Sequence, residues 1–257
     1  MKKLFLILLS TGMALSFIAV ICLDDWKSAC FNFLMSLGTN ILGLIITVFF
    51  VQKYIDDKKE KIRATEEKDK ILRYDRIMSQ YISLYLKAFA SIVIPNKIGV
   101  RVEIKRDKDD EFSFSDLSGM YEPSYMIVEK GVKSSIEIYY EYEEKLAEYI
   151  MKAIENIDFE FYPQIQEILM EFYRVWTEYD ERDMVLWPLR IDNEEGGKNM
   201  KKIVIDMIKD ERVNWVERND RGELNGNIMK AYVELYQKVR NERKLIARYE
   251  QEIKKLK

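Results

Sequence analysis

Two long apolar runs open the chain. Leu4 to Leu23 carries no charge over 20 residues, and Cys30 to Val51 carries none over 22. At about 1.5 Å of rise per residue, each covers the roughly 30 Å hydrocarbon layer of a bilayer. Between them, Asp24-Asp25-Trp26-Lys27-Ser28-Ala29 leaves room for a tight turn. The pattern predicts a transmembrane hairpin over residues 1–52, with spans 4–23 and 30–51. Lys2 and Lys3 precede the first span, and Lys53, Lys58, Lys59, Lys61 and Arg63 follow the second, whereas the turn sets one Lys against two Asp. The positive-inside rule then puts both termini in the cytoplasm. Met-Lys-Lys before an apolar run is also how a secretory signal begins. The run exceeds the usual core of about 7–15 residues, however, and Ile21 stands where a small residue should precede a lipidated Cys22. Even after cleavage, the second span would anchor the rest.

Within the second span, Asn32, Ser36, Asn40, Gly43 and Thr47 are spaced 4, 4, 3 and 4, which places them on one helical face. Amides and hydroxyls turned toward lipid would lack partners, so this polar stripe should meet protein or water. It serves either as a helix-packing face or as the lining of a pore made by several hairpins. Gly12, Ser16 and Ala19 give the first span a small-residue face that would suit the stripe. Cys22 and Cys30 lie near the outer end of the hairpin, where a bond and free thiols are both open.

The remainder predicts a mainly α protein with long coiled-coil-like helices. No Gly or Pro occurs from Leu44 to Ile94, so residues 53–94 should form a long juxtamembrane helix continuing the second span. Residues 52–70 are charged, with Ile55 and Ile62 as the main exceptions and Asp57–Lys61 at i,i+4 spacing. A heptad face follows: Ile71, Asp75, Met78, Ile82, Tyr85, Phe89 and Ile92, ended by Pro95. Residues 95–257 form a helical cytosolic domain. Its segment 96–133 is the least helical: Ile98, Val100, Val102 and Ile104 alternate with polar residues as in a short strand, and a small β-hairpin fits there. Helices are expected near 135–156, 162–181, 198–211 beyond a break at Gly196-Gly197, and 223–257, with Asp192 to Lys198 as an exposed loop. The last carries Ile228, Tyr232, Leu235, Val239, Ile246, Tyr249, Ile253 and Leu256 on heptad positions, interrupted by Glu242. These two heptad faces either pack on each other within one chain or mediate self-association.

Composition narrows the chemistry. Histidine is absent from the 257 residues, which removes a His base, His-ligated zinc and the Ser-His or Cys-His nucleophile pairs. There is no phosphate-binding glycine loop, and two cysteines cannot make an all-cysteine zinc site. Residues 137–181 hold 13 acidic and 3 basic side chains, and Glu141, Glu144 and Glu148 share a face that reads as solvated rather than metal-binding. Residues 240–257 hold 7 basic against 3 acidic, a basic end that would suit anionic lipid or nucleic acid, or merely solvate a helix. Trp176, Trp187 and Trp215 are expected in the core. No catalytic constellation, cofactor, metal site or small-molecule substrate follows, and the chain does not read as an enzyme.

The plan of the whole chain, Leu4–Leu23, Cys30–Val51 and a helical remainder, resembles the two-transmembrane effectors of bacterial anti-phage defence systems, including those that accompany some retrons. The resemblance is one of architecture and composition, without a sequence motif. It implies an inner-membrane toxin: the hairpins cluster or open to disrupt the membrane when the cytosolic domain is triggered. It also implies self-association and a regulatory partner, either a protein or a nucleic-acid complex. The alternative is a membrane-anchored helical interaction module or a structural subunit of a membrane complex, without pore activity.

Overall fold

The computed structural model describes residues 10–14, 17, 29–93, 112–124, 126, 133–179, 181–191 and 193–257, with side chains described from residue 35 onward in the first long helix. The protein is mainly helical, and among the described residues the one β-type pairing is an isolated bridge between Pro123 and Ser134. The strand expected over 98–104 and most of the first apolar run lie outside the described residues. The chain divides into two compact units, Met1–Glu66 and Glu67–Lys257.

Helix α1 runs Ala29–Val93 without a break, as the absence of Gly and Pro beyond Gly43 dictates. In the first unit it contains an apolar stretch long enough to cross a membrane, and this is the candidate membrane-spanning helix near the N-terminus. Only 11% of that stretch is buried, so it is not a core helix hidden by its own protein. Leu44, Ile46, Val48, Phe49, Phe50 and Val51 are all exposed. The charged residues 52–63 after it are almost entirely solvated, as alternating acids and bases on a helix should be.

The second unit, the helical domain, is built on the last seven turns of α1. α2 (Ser135–Asn156), α3 (Pro163–Glu178) and α7 (Met229–Leu256) pack around it through one continuous apolar core. Short α4 (Arg182–Leu186), α5 (Glu194–Lys209) and α6 (Trp215–Asp220) close the far end with a 3-10 turn at Phe114–Gly119. Local chemistry sets the helix ends. The Glu137 carboxylate accepts the Ser134 N–H at 2.9 Å and its hydroxyl at 2.7 Å, fixing the start of α2. Pro163 takes the first position of α3, where its missing N–H costs nothing. Glu67 accepts the Phe161 N–H at 3.1 Å and so ties the α2–α3 turn to α1. Ser91, Ser124 and Ser135 form a hydroxyl chain (2.8 and 3.0 Å) that pins the end of α1 to the start of α2.

Three expectations are corrected. Gly196-Gly197 does not break a helix: both lie in the first turn of α5, which begins at Glu194 rather than 198 and absorbs most of the expected loop. The reason is Asn193, whose side chain accepts the Glu195 and Gly196 N–H groups at 3.1 and 3.4 Å. Gly197 serves a close approach instead, since a Cβ there would meet the Pro188 carbonyl at 3.2 Å. Asn193→Ala is expected to cost about 1 kcal/mol, read as a lower urea midpoint with an unchanged slope. The last helix starts at Met229, not 223, because the preceding residues turn through Gly222 and Gly226 at φ +73° and +75°, values glycine adopts freely. Trp187 is 44% exposed rather than in the core, Trp176 is half-buried, and Trp215 alone of the three is buried, its indole N–H donating to the Met207 carbonyl at 2.9 Å.

Candidate functional site

The polar stripe of the candidate membrane helix is the first place where sequence and structure meet. Ser36, Asn40, Gly43 and Thr47 are all exposed; the side chain of Asn32 lies outside the described residues. The face that is packed is a different one. Gly12 of the first apolar run sits against Ile41 and Leu42, with a Cβ on it meeting Ile41 at 3.3 Å, and Gly38 and Ile45 are buried. At 3.6 residues per turn, that face and the stripe are about 180° apart on the helix. The small residue Gly12 therefore packs behind the stripe, not on it; Ser16 and Ala19 lie outside the described residues, as does Cys22.

Chemistry along the stripe is uneven. Thr47 donates to the Gly43 carbonyl at 2.8 Å, and Thr39, on its flank, to Met35 at 2.8 Å, so both hydroxyls are satisfied by their own helix. Asn40 is held more weakly: among the described residues its amide donates to Ser36 Oγ alone, at 3.5 Å, the outer limit of a hydrogen bond. One turn on, a side chain added at Gly43 would meet nothing within 4 Å. The face thus presents a weakly bonded carboxamide beside a position where another backbone can approach closely.

The heptad residues occupy the interior of the helical domain. Ile71, Met78, Ile82, Tyr85, Phe89 and Ile92 on α1, and Tyr232, Leu235, Val239, Ile246, Tyr249 and Ile253 on α7, are buried in one core, with Ile228 and Leu256 half-buried at its edge. Packing within one chain accounts for their spacing. Polar ties reinforce it: Tyr249 donates to Asp75 at 3.3 Å, and Lys257 pairs with the same carboxylate at 3.0 Å.

Inside that core sits a group of charges that sequence reasoning missed. Glu143 of α2, Glu181 just before α4, and Lys238 and Glu242 of α7 are all buried. Lys238 Nζ lies 2.9 Å from Glu143 Oε1 and 3.2 Å from Glu181 Oε1. Glu242 Oε2 accepts the hydroxyls of Tyr85 (2.7 Å) and Tyr139 (2.8 Å), and Tyr139 also reaches Glu143 Oε1 at 3.1 Å. Tyr140 donates to Glu181 at 3.3 Å. Three buried carboxyls thus gather around one ammonium, which contacts two of them, Glu143 and Glu181. Burial, followed by the charge of Glu242, pushes the Glu143 carboxyl up to about 8, against the pull of Lys238. Burial raises Glu242 and Glu181 as well. For Lys238, burial acts to lower the pKa, but the carboxyls of Glu143, Glu242 and Glu181 outweigh it and hold the ammonium charged above its ordinary range. One signal was available: Lys238 and Glu242 stand four apart on an otherwise apolar helix face, a spacing that here marks a core site.

Elsewhere the charged surfaces are internally engaged. Glu141 pairs with Lys133 and Lys145 (2.9 and 2.7 Å), and Glu144 with Arg182 (3.1 Å); among the described residues no group of acids is placed to hold a metal ion. In the basic end of α7, Arg248 pairs with Glu171 and Arg243 stacks over Phe89. Comparison with protein-family profiles, curated proteins and solved structures finds no match to this chain.

Proposed function

We propose that this chain is an inner-membrane effector of anti-phage defence, whose N-terminal transmembrane hairpins assemble and disrupt the membrane when the helical domain is triggered. The observation that carries the reading is the outward turn of the polar stripe, opposite the face packed by the first run. A hairpin alone in lipid would leave the Asn40 carboxamide without adequate partners, at a cost of several kcal/mol. Contact with further copies, or with water enclosed by them, relieves that cost. Interhelical bonds of this kind contribute about 0.6–2 kcal/mol each, so several copies together hold an assembly that one pair would not. Both termini face the cytoplasm in this reading, where the helical domain waits for its trigger, a protein or a nucleic-acid complex. Within the helical domain, Tyr85 of α1 donates to Glu242 of α7 at 2.7 Å.

A second reading is a membrane-anchored interaction module or complex subunit. It is favoured by Thr39 and Thr47, whose hydroxyls need no partner beyond their own helix. The two readings separate on membrane potential. Induced expression of the full chain in a bacterium is expected to give rapid depolarisation, followed by uptake of a normally excluded dye. A steady potential at confirmed membrane insertion, with the partner absent, would pass the lead to the anchored module.

A further inference from the structure

We propose that Glu143 and Glu242 share a single proton in the domain core, and that this proton holds α2 against α7. Both carboxyls are buried and converge on one donor: the Tyr139 hydroxyl, which has a single hydrogen, lies 3.1 Å from Glu143 Oε1 and 2.8 Å from Glu242 Oε2, so two carboxylates held there are one hydrogen short. On Glu242, Oε2 already takes the two tyrosine hydroxyls, while Oε1 is buried without a hydrogen-bond partner among the described residues. The proton of Glu143 is the hydrogen that completes the set.

Among the described residues, the surroundings offer one cation to the pair. α1 contributes Tyr85; α2 contributes Tyr139 and Tyr140 beside Glu143; the segment into α4 contributes Glu181, with Arg182 stacked on the Tyr140 ring and paired to Glu144; α7 contributes Lys238. Lys238 is already divided between Glu143 and Glu181. Arg240 and Arg243, the neighbouring cations of α7, stack on Tyr236 and on Phe89 and Phe112 instead. Tyr121 and its hydroxyl partner Tyr232 complete the polar neighbourhood at 2.8 Å from each other.

Removal of the proton sets two negative charges face to face in a medium of low polarity, with half an ammonium between them. Repulsion then acts along the α2–α7 contact, and through Tyr85 on α1. The sign follows from linkage. The folded domain retains a proton that the unfolded chain loses in the ordinary carboxylate range, so the folding constant decreases as pH rises toward about 8 and levels off above it. One proton corresponds to at most about tenfold per pH unit.

The test uses the full chain in lipid nanodiscs, with urea unfolding of the helical domain followed at pH 6, 7, 8 and 9. The folding constant is expected to fall several-fold to tenfold per unit from pH 6 to 8, and Glu143→Gln, which keeps a donor toward Glu242 but cannot titrate, is expected to flatten the profile. Difference infrared spectra supply a readout that does not depend on the variant's folding: a protonated-carboxyl stretch at pH 7 in the unaltered chain, lost by pH 9. A profile that is flat in the unaltered chain, or equally steep in both, overturns the proposal, as does absence of the carboxyl band at pH 7 or its persistence in a folded Glu143→Gln chain at that pH.

Discussion

Cells expressing the chain with Ser36→Leu and Asn40→Leu together are expected to keep their membrane potential where the unaltered chain collapses it. Both changes make the span more apolar, so insertion is favoured rather than impaired. What they remove is the reason for assembly. The Asn40 amide has a single long bond on its own helix, to Ser36 Oγ at 3.5 Å, whereas the Thr47 hydroxyl is held by the Gly43 carbonyl at 2.8 Å. Leucines at both positions let the stripe sit in lipid without penalty, and bulky side chains next to Gly43 block close backbone approach. The expected dye response is at the level of an uninduced control, with equal membrane-fraction protein. Undiminished depolarisation in the double variant would separate the activity from this face altogether.

A large loss is also expected inside the helical domain. Lys238→Met should lower its stability by about 3–5 kcal/mol, because it leaves the carboxyls of Glu143 and Glu181 buried without their cation. Against a typical total of about 5–15 kcal/mol, that approaches unfolding. Methionine nearly fills the lysine stem, so the loss is electrostatic rather than a cavity effect. Adding Glu143→Gln and Glu181→Gln should return most of it, since neutral groups carry a far smaller cost of burial. Urea midpoints of the single and triple variants measure both effects. A single-variant loss below about 1 kcal/mol would mean that water already reaches the cluster.

A mainly helical protein with one long apolar helix near the N-terminus was legible in the sequence, because apolar length and helical spacing are local signals. Residues 135–156 matched α2 to the residue, since Ser134 and Glu137 announce its start. The Gly196-Gly197 pair misled because a glycine's effect depends on what lies beside it; here that is an asparagine cap and the Pro188 carbonyl, one adjacent and one from a separate turn. The charge cluster was illegible for another reason. Its members come from α2, the approach to α4, and α7, and no spacing within one element brings them together. Glu242 read as a flaw in a heptad; in the fold it is where three helices exchange hydrogen bonds. The stripe was visible from its spacing, but which way it turned depended on Gly12, almost thirty residues earlier.

The opposition of packed face and polar stripe has an architectural consequence. If hairpins close into a ring with their stripes inward, the second spans form the inner wall and the first spans an outer sleeve. Met13 and Phe17, large apolar side chains that are 60% and 67% exposed, are suited to that sleeve. Such a double-walled barrel of helices would gain members without changing its outer surface, so its bore would be set by the number of subunits and not by the shape of any one of them.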